Sequence, residues 1–277
     1  MNQAFNEEYV IEPAGKLVNW REIWQYRELF YFFTWRDIKV KYKQTFFGIA
    51  WALIQPLFLV LIFTLFFGKA LHIPSGSLPY PVFAFSGLLI WTLFSSGLNN
   101  AGSSMVSNAA IIKKVYFPRL VIPVSAIITA AFDFVFGFVV FIVLLFVYQI
   151  PVRFVELLYA WPFAIVLALL GTLGPGSFLA AINVKYRDFR YAIPFIIQAL
   201  FFLTPVIYPV SMLQHPWLKY MLSLNPMYAP ITLLRMPLVS ETTDQTVLLI
   251  SISSTLFFLF FGLFYFRKTE HYFADLA

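Results

Sequence analysis

Apolar and polar positions divide this chain into long blocks. Six runs of almost continuous apolar residues, at about 46–67, 80–103, 120–148, 158–182, 191–208 and 246–266, are bounded by charges or by Pro and Gly. The stretch from Phe46 to Gly68 carries no charge and exceeds the roughly 20 residues that a helix needs to cross the hydrocarbon of a bilayer. A barrel strand would alternate lipid-facing and lumen-facing residues over about ten positions, which these runs do not do. Helices then remain as the way to satisfy the backbone in lipid. The pattern predicts an all-α integral membrane protein of six transmembrane helices, divided into an N-terminal segment 1–45, a membrane domain 46–268 and a tail 269–277.

Ahead of the first run, Trp20, Ile23, Trp24, Phe30 and Tyr31 fall on one side of a helical wheel, with Arg21, Glu22, Gln25 and Glu28 on the other. That arrangement suits an amphipathic helix in the membrane interface. Arg27 interrupts the aromatic side and must snorkel or find a partner. Between runs five and six, Pro209, Pro216, Pro226, Pro230 and Pro237 lie among aromatics in a stretch too long for a simple connector. This reads as short re-entrant helices. One should begin near Asn225-Pro226, because Asn is a preferred N-cap and Pro fits the first helical position.

Composition strengthens this reading: 61% of the 277 residues are hydrophobic and 12% charged, against roughly 25% charged in a soluble domain. Of the 19 Lys and Arg residues, 15 fall in segments that an even number of spans places on one side, and 4 (Lys69, Arg153, Lys219, Arg235) on the other. The positive-inside rule then predicts both termini in the cytoplasm. The basic excess is accounted for by topology and anionic headgroups, so nucleic acid is not an expected partner. The first 45 residues contain Glu7, Glu8 and Glu12 and lack the apolar core of a cleavable signal.

Candidate chemistry is sparse. Cysteine is absent and His72, His215 and His271 are far apart, so no metal site is expected. No Gly-x-x-x-x-Gly-Lys-Ser/Thr loop occurs, and Gly68-Lys69 lacks the upstream Gly and the following hydroxyl. No cofactor of this chain's own, and no catalytic residue, is indicated. Asp133 is the one acid within an apolar run, where burial is costly; it should bond a neighbouring helix or polar cavity rather than cargo. Aromatic rings can stack on the apolar faces of sugars, but most of the 34 Phe residues are expected to face lipid.

Several strings carry a resemblance. Arg36 to Thr45 with Gly48, Trp51, Gln55 and Pro56; Ile112 to Arg119; Asn183 to Asp188; and Thr204 to Tyr208 with Leu224 to Met227 occur in order along the chain. Together they resemble the type-2 ABC permeases that export O-antigen, capsule and teichoic acid polymers. The resemblance implies a homodimer carried on two copies of a separate ABC ATPase, which would use ATP and Mg, with a lipid-linked polysaccharide as cargo. It also implies a cytoplasmic helix, about Ser107 to Pro118, that docks on the ATPase. The matching residues are Lys113, Lys114, Tyr116, Phe117, Pro118 and Arg119. The rings of Tyr116 and Phe117 need a burial place, which a groove on a partner would provide, with lipid as the competing site. Rival readings are a type-2 permease for a small drug or lipid, which shares the fold, and a membrane enzyme acting on a polyprenyl-linked sugar, whose expected acidic cluster is missing.

Overall fold

The computed structural model describes residues 24–43, 48, 50–72, 75–186, 188–212, 215–239, 244–270 and 273. Among them every regular element is helical, in the order α1 (Arg27–Tyr42), α2 (Ala50–Phe63), α3 (Tyr80–Ser107), α4 (Ala109–Ile112), α5 (Val121–Val147), α6 (Phe154–Lys185), α7 (Phe189–Phe202), α8 (Pro216–Ser223), α9 (Tyr228–Arg235) and α10 (Gln245–Thr269). Helix α2 continues as a π-helical turn, Thr64–Ala70. Among the described residues, five helices are long and apolar enough to cross a membrane: Ala50–Ala70, α3, α5, α6 and α10.

The fifth apolar run departs from expectation. Helix α7 has 14 residues, about 21 Å at 1.5 Å per residue, against roughly 30 Å of hydrocarbon. It ends because Pro205 disfavours helix in Thr204 and offers no N–H of its own. The predicted run 191–208 is therefore a short helix followed by an irregular segment, 203–209.

Helix α3 is the centre of the bundle. Its most apolar window is 78% buried, whereas that of the first span is 6% buried. Against α3 pack α5 and α6, and α10 closes on the far side of α6. Close approach of α6 and α10 rests on Gly174 and Gly262: a Cβ on Gly262 would stand 1.9 Å from the Gly174 carbonyl oxygen.

Irregular backbone at membrane depth is tolerated only where protein or a water-filled cavity satisfies it. Here side chains do so. Tyr80 Oη donates to the Ile207 carbonyl at 3.2 Å, Trp161 Nε1 to the Leu234 carbonyl at 3.1 Å, and Arg153 to the carbonyls of Met236 and Val239. Their positions at span ends suggest an interfacial belt for Tyr80 and Trp161, yet both rings are buried against the bundle. The reason is the hairpin 203–239, whose carbonyls need donors.

Candidate functional site

Two regions bring the sequence candidates together: a lateral cavity beside α3, and the loop 113–119 between α4 and α5.

The cavity encloses about 550 Å³ between α2, α3, α5 and α7. Trp51 and Gln55 enter it from α2, Trp91, Thr92, Ser95 and Ser96 from α3, and Gln198 and Phe201 from α7. Serine and threonine line it because α3 carries small hydroxyl residues there that bond back to their own helix: Thr92 Oγ1 donates to the Leu89 carbonyl at 3.0 Å. Trp91 is held by Phe94 and Phe201, at ring separations of 5.5 and 5.4 Å. Flat rings beside amide and hydroxyl groups suit a polyol, whose CH faces stack while its hydroxyls exchange hydrogen bonds.

Asp133 lines this cavity. Its carboxylate accepts from Lys41 Nζ and from Tyr42 Oη, both at the C-terminus of α1. Burial, and then the adjoining carboxylate, push the Tyr42 hydroxyl well above its ordinary value, so it remains a donor. Thr34 Oγ1 approaches the Ser125 carbonyl at 3.5 Å. The contacts advance from 34 to 42 on α1 and from 125 to 133 on α5, so the two helices run side by side in one direction. The acid thus bonds a neighbouring helix and also faces a polar cavity.

Of the residues assigned to the interfacial helix, Trp20 and Ile23 lie outside the described residues. Trp24 is 71% exposed, and the Arg27 guanidinium lies 5.9 Å from its ring centre. Among the described residues, the Trp24 ring is the neighbour that Arg27 finds. Tyr31, Phe32 and Trp35 are also exposed, while Phe33 turns inward.

The loop divides at Tyr116. Lys113, Lys114, Val115 and Tyr116 are exposed, but Phe117 and Pro118 are buried. The Phe117 ring, 4% exposed, lies 5.7 Å from that of Phe33 and shares a cluster with Met105, Phe266 and Phe273. This corrects the expectation that both rings need a partner's groove: Phe117 buries within this chain because α1 and α10 bring Phe33 and Phe273 to it. Arg119 also turns inward. Its backbone N–H donates to Glu270 Oε1 at 3.2 Å, and its guanidinium reaches the Glu270 carbonyl.

Asn225 and Pro226 lie where a helix start was predicted. Asn225 Oδ1 accepts from the Met227 N–H at 2.9 Å, and α9 begins two residues beyond Pro226. Asn225 Nδ2 donates to Thr204 Oγ1 at 2.7 Å, so the two strings Thr204–Tyr208 and Leu224–Met227 meet in space. Ser251 Oγ of α10 bonds the Asn225 carbonyl at 2.9 Å.

Arg235 is a residue whose importance the sequence hid. Counted as a loop cation, it instead aims its guanidinium into the bundle. It donates to Ser86 Oγ at 2.9 Å and to the carbonyls of Pro205, Val206 and Phe83 at 3.0, 2.9 and 3.0 Å. Its Cζ sits 3.8 Å from the centre of the Phe83 ring. Gly87 makes room: a Cβ there would lie 2.7 Å from Arg235 Nη2 and 2.8 Å from the Val206 oxygen. A Gly one turn from an aromatic in an apolar helix, with an Arg at the end of a short apolar helix, was the available signal.

The family described as ABC-2 type transporter matches residues 28–239 of this chain. The chain belongs to that membrane-protein family. Among curated relatives it is 34% identical over 216 residues to an O-antigen export system permease protein of Myxococcus xanthus, covering 76% of this chain and 80% of the relative. It is 28% identical over 245 residues to an O-antigen export system permease protein of Klebsiella pneumoniae, covering 87% and 92%. A polysialic acid transport protein of Escherichia coli is 24% identical over 243 residues, covering 85% and 91%. The matched segment includes the cavity, the loop 113–119 and the hairpin; Glu270 and Phe273 lie beyond it.

Proposed function

We propose that this chain is the membrane-spanning permease of an ATP-driven exporter that carries a lipid-linked polysaccharide across the bacterial cytoplasmic membrane. The observation that carries the reading is the likeness to O-antigen and polysialic acid export proteins over most of both chains. The cavity supports it through its chemistry: Trp51, Trp91, Gln55, Gln198 and the hydroxyls of Thr92, Ser95 and Ser96 offer stacking and hydrogen bonding to sugar. A glycan needs such groups because its hydroxyls cannot enter hydrocarbon unpaired. ATP and Mg would be used by a separate ATPase dimer, since this sequence has no phosphate-binding loop.

The working unit is a homodimer. Its support is the first span, whose apolar window is 6% buried within one copy. Phe58, Leu61 and Phe66 are left on its open face. The 15-to-4 split of Lys and Arg supports both termini in the cytoplasm, with α7 and the segment 203–209 together making the sixth crossing. Reporters fused at Gly15, Gly76 and Ala277 should place only Gly76 outside.

Deletion of the gene tests the cargo. Lipid-linked glycan should accumulate in the inner leaflet and vanish from the surface while its synthesis continues. Normal surface display without a second exporter would refute the assignment, and ATPase stimulation by small drugs but not by lipid-linked glycan would point to the rival permease class.

A further inference from the structure

The contacts of Glu270 reach across the chain. Its Oε1 accepts the backbone N–H of Arg119, 151 residues away, at 3.2 Å. Its Oε2 pairs with Arg267 Nη1 at 2.8 Å, and its carbonyl accepts from the Arg119 guanidinium. Arg119 Cζ lies 6.0 Å from the Phe273 ring centre, and Phe273 packs edge-on against Phe266 at 5.2 Å. One carboxylate therefore ties the end of α10 to the turn that opens α5.

That turn makes backbone bonds of its own, from the Val121 N–H to the Pro118 carbonyl at 3.1 Å and from the Ile122 N–H to the Arg119 carbonyl at 3.2 Å, but it has no side-chain cap. The residue before α5 is Leu120, which has no side chain able to cap the helix. The exposed half of the loop, Lys113–Tyr116, and the buried half, Phe117–Arg119, are joined without a break. A force applied at Tyr116 thus reaches α5 through a segment fixed at Phe117 by packing on α1 and at Arg119 by Glu270. An exposed pair three residues apart on a helix, such as Arg267 with Glu270 alone, would contribute little. The contact with Arg119 is what distinguishes this carboxylate from a surface charge.

We infer that Glu270 is a positioning residue for ATP coupling: by holding Arg119 it fixes the pose in which Lys113–Tyr116 meet the ATPase and makes the loop move together with α5 and α10. The inference rests on the reading of Lys113–Tyr116 as the ATPase contact. Glu270 touches neither cargo nor nucleotide in this scheme. Loss of the carboxylate leaves the docking side chains in place and loosens what stands behind them, so the ratio of glycan exported to ATP hydrolysed should fall.

The test uses the complete permease and ATPase complex with its lipid-linked glycan in proteoliposomes. Glu270→Ala should still recover the ATPase, while glycan exported per ATP drops by about tenfold, the factor expected for one hydrogen bond to a charged group. Glu270→Gln keeps an amide oxygen for the Arg119 N–H and loses the Arg267 ion pair, so it should restore most of that ratio. If Glu270→Ala lowers membrane level, the ratio per assembled complex remains readable; a normal ratio would reduce Glu270 to a folding contact and overturn the proposal. An equally poor ratio in Glu270→Gln would overturn the capping role. The docking reading is tested separately by Lys113→Ala, Lys114→Ala and Tyr116→Ala together. Full ATPase recovery and export in that triple variant would refute docking, whereas lost recovery there with a normal ratio in Glu270→Ala would refute only the role of Glu270.

Discussion

The two ends of the helical bundle use their cations differently. At the end bearing the hairpin 203–239, Arg235 donates to three carbonyls and a serine hydroxyl, and Arg153 donates to the carbonyls of Met236 and Val239 while also pairing with Glu156 at 2.6 Å. At the end bearing the loop 113–119, Arg36 pairs with Asp37 and Arg267 with Glu270, and nearby Lys41 pairs with Asp133 at the cavity. The difference follows from what each end must satisfy. Hairpin backbone outside regular helix leaves carbonyls that only donors can pair, and a planar guanidinium serves several at once. The loop end is built of nearly complete helices, so its cations meet carboxylates, along one helix at Arg36–Asp37 and Arg267–Glu270 and between helices at Lys41–Asp133, while Arg119 reaches the Glu270 carbonyl. A cation that satisfies backbone is part of the fold, whereas a cation on a carboxylate can be exchanged.

The largest expected effect comes from breaking the hairpin end. Arg235→Ala leaves the carbonyls of Pro205 and Val206 without this donor, at a cost of roughly 1–3 kcal/mol for each that stays unsatisfied, while the Phe83 carbonyl keeps the Ser86 hydroxyl. Arg235→Lys keeps the charge but not the fork and should fall between. Gly87→Ala should resemble Arg235→Ala, because the added Cβ takes the space of Nη2. Thermal unfolding of the purified protein in nanodiscs measures all three, and an unchanged midpoint for Arg235→Ala would refute the distinction between the two ends.

This contrast also marks what sequence could deliver. Apolar runs located the five long helices to within a few residues, because length and hydropathy decide insertion with little help from neighbours. The Asn225-Pro226 start was close but displaced: the helix begins at Tyr228 with Met227 at its N-cap and no side-chain cap, and Asn225 instead accepts from the Met227 N–H in the turn before it. Helix α7 was overextended, since hydropathy continues through Val206 and Ile207 after Pro205 has ended the helix. Arg235 was misread as a loop charge because its acceptors, Phe83 and Val206, come from other segments of the chain. Phe117 was assigned to a partner because its true neighbours, Phe33 and Phe273, lie far away in sequence. The cavity likewise needs four helices to define it.

A smaller effect is expected from Asp133. Lys41 is 45% exposed at its side chain and Asp133 21%, so the ion pair is discounted for solvent and the cluster contributes about 1–2 kcal/mol, most of it through the Tyr42 hydrogen bond. Asp133→Asn retains an acceptor and should cost less than Asp133→Leu. Hydrogen exchange across residues 34–42 reports the attachment of α1, and no change in Asp133→Leu would show that α1 is held by packing alone. The Tyr42 hydroxyl is raised above its ordinary 10.0. Its contribution is therefore full below pH 10 and is lost as pH rises beyond it, because the unfolded chain ionises first. Tyr42→Phe should remove that alkaline component.

The smallest effect on the fold, and the sharpest on assembly, is expected from Tyr116→Ala. Tyr116 is 70% exposed, against 4% for the adjacent Phe117. Truncating an exposed ring should change stability by no more than about 0.5 kcal/mol. If the ring fills a pocket on the ATPase, its loss should weaken association by about 1–3 kcal/mol, within the range of interface hot spots. Phe117→Ala is the contrasting variant: it opens a cavity between α1 and α10 and should lower stability before it alters docking. Membrane level, melting midpoint and ATPase recovery, measured together, separate the two rings. Normal level and midpoint with reduced recovery for Tyr116→Ala, and a lowered midpoint for Phe117→Ala, would place the boundary between fold and partner at the bond joining them. Full ATPase recovery with Tyr116→Ala would instead assign that ring to the membrane surface and leave docking to Lys113 and Lys114.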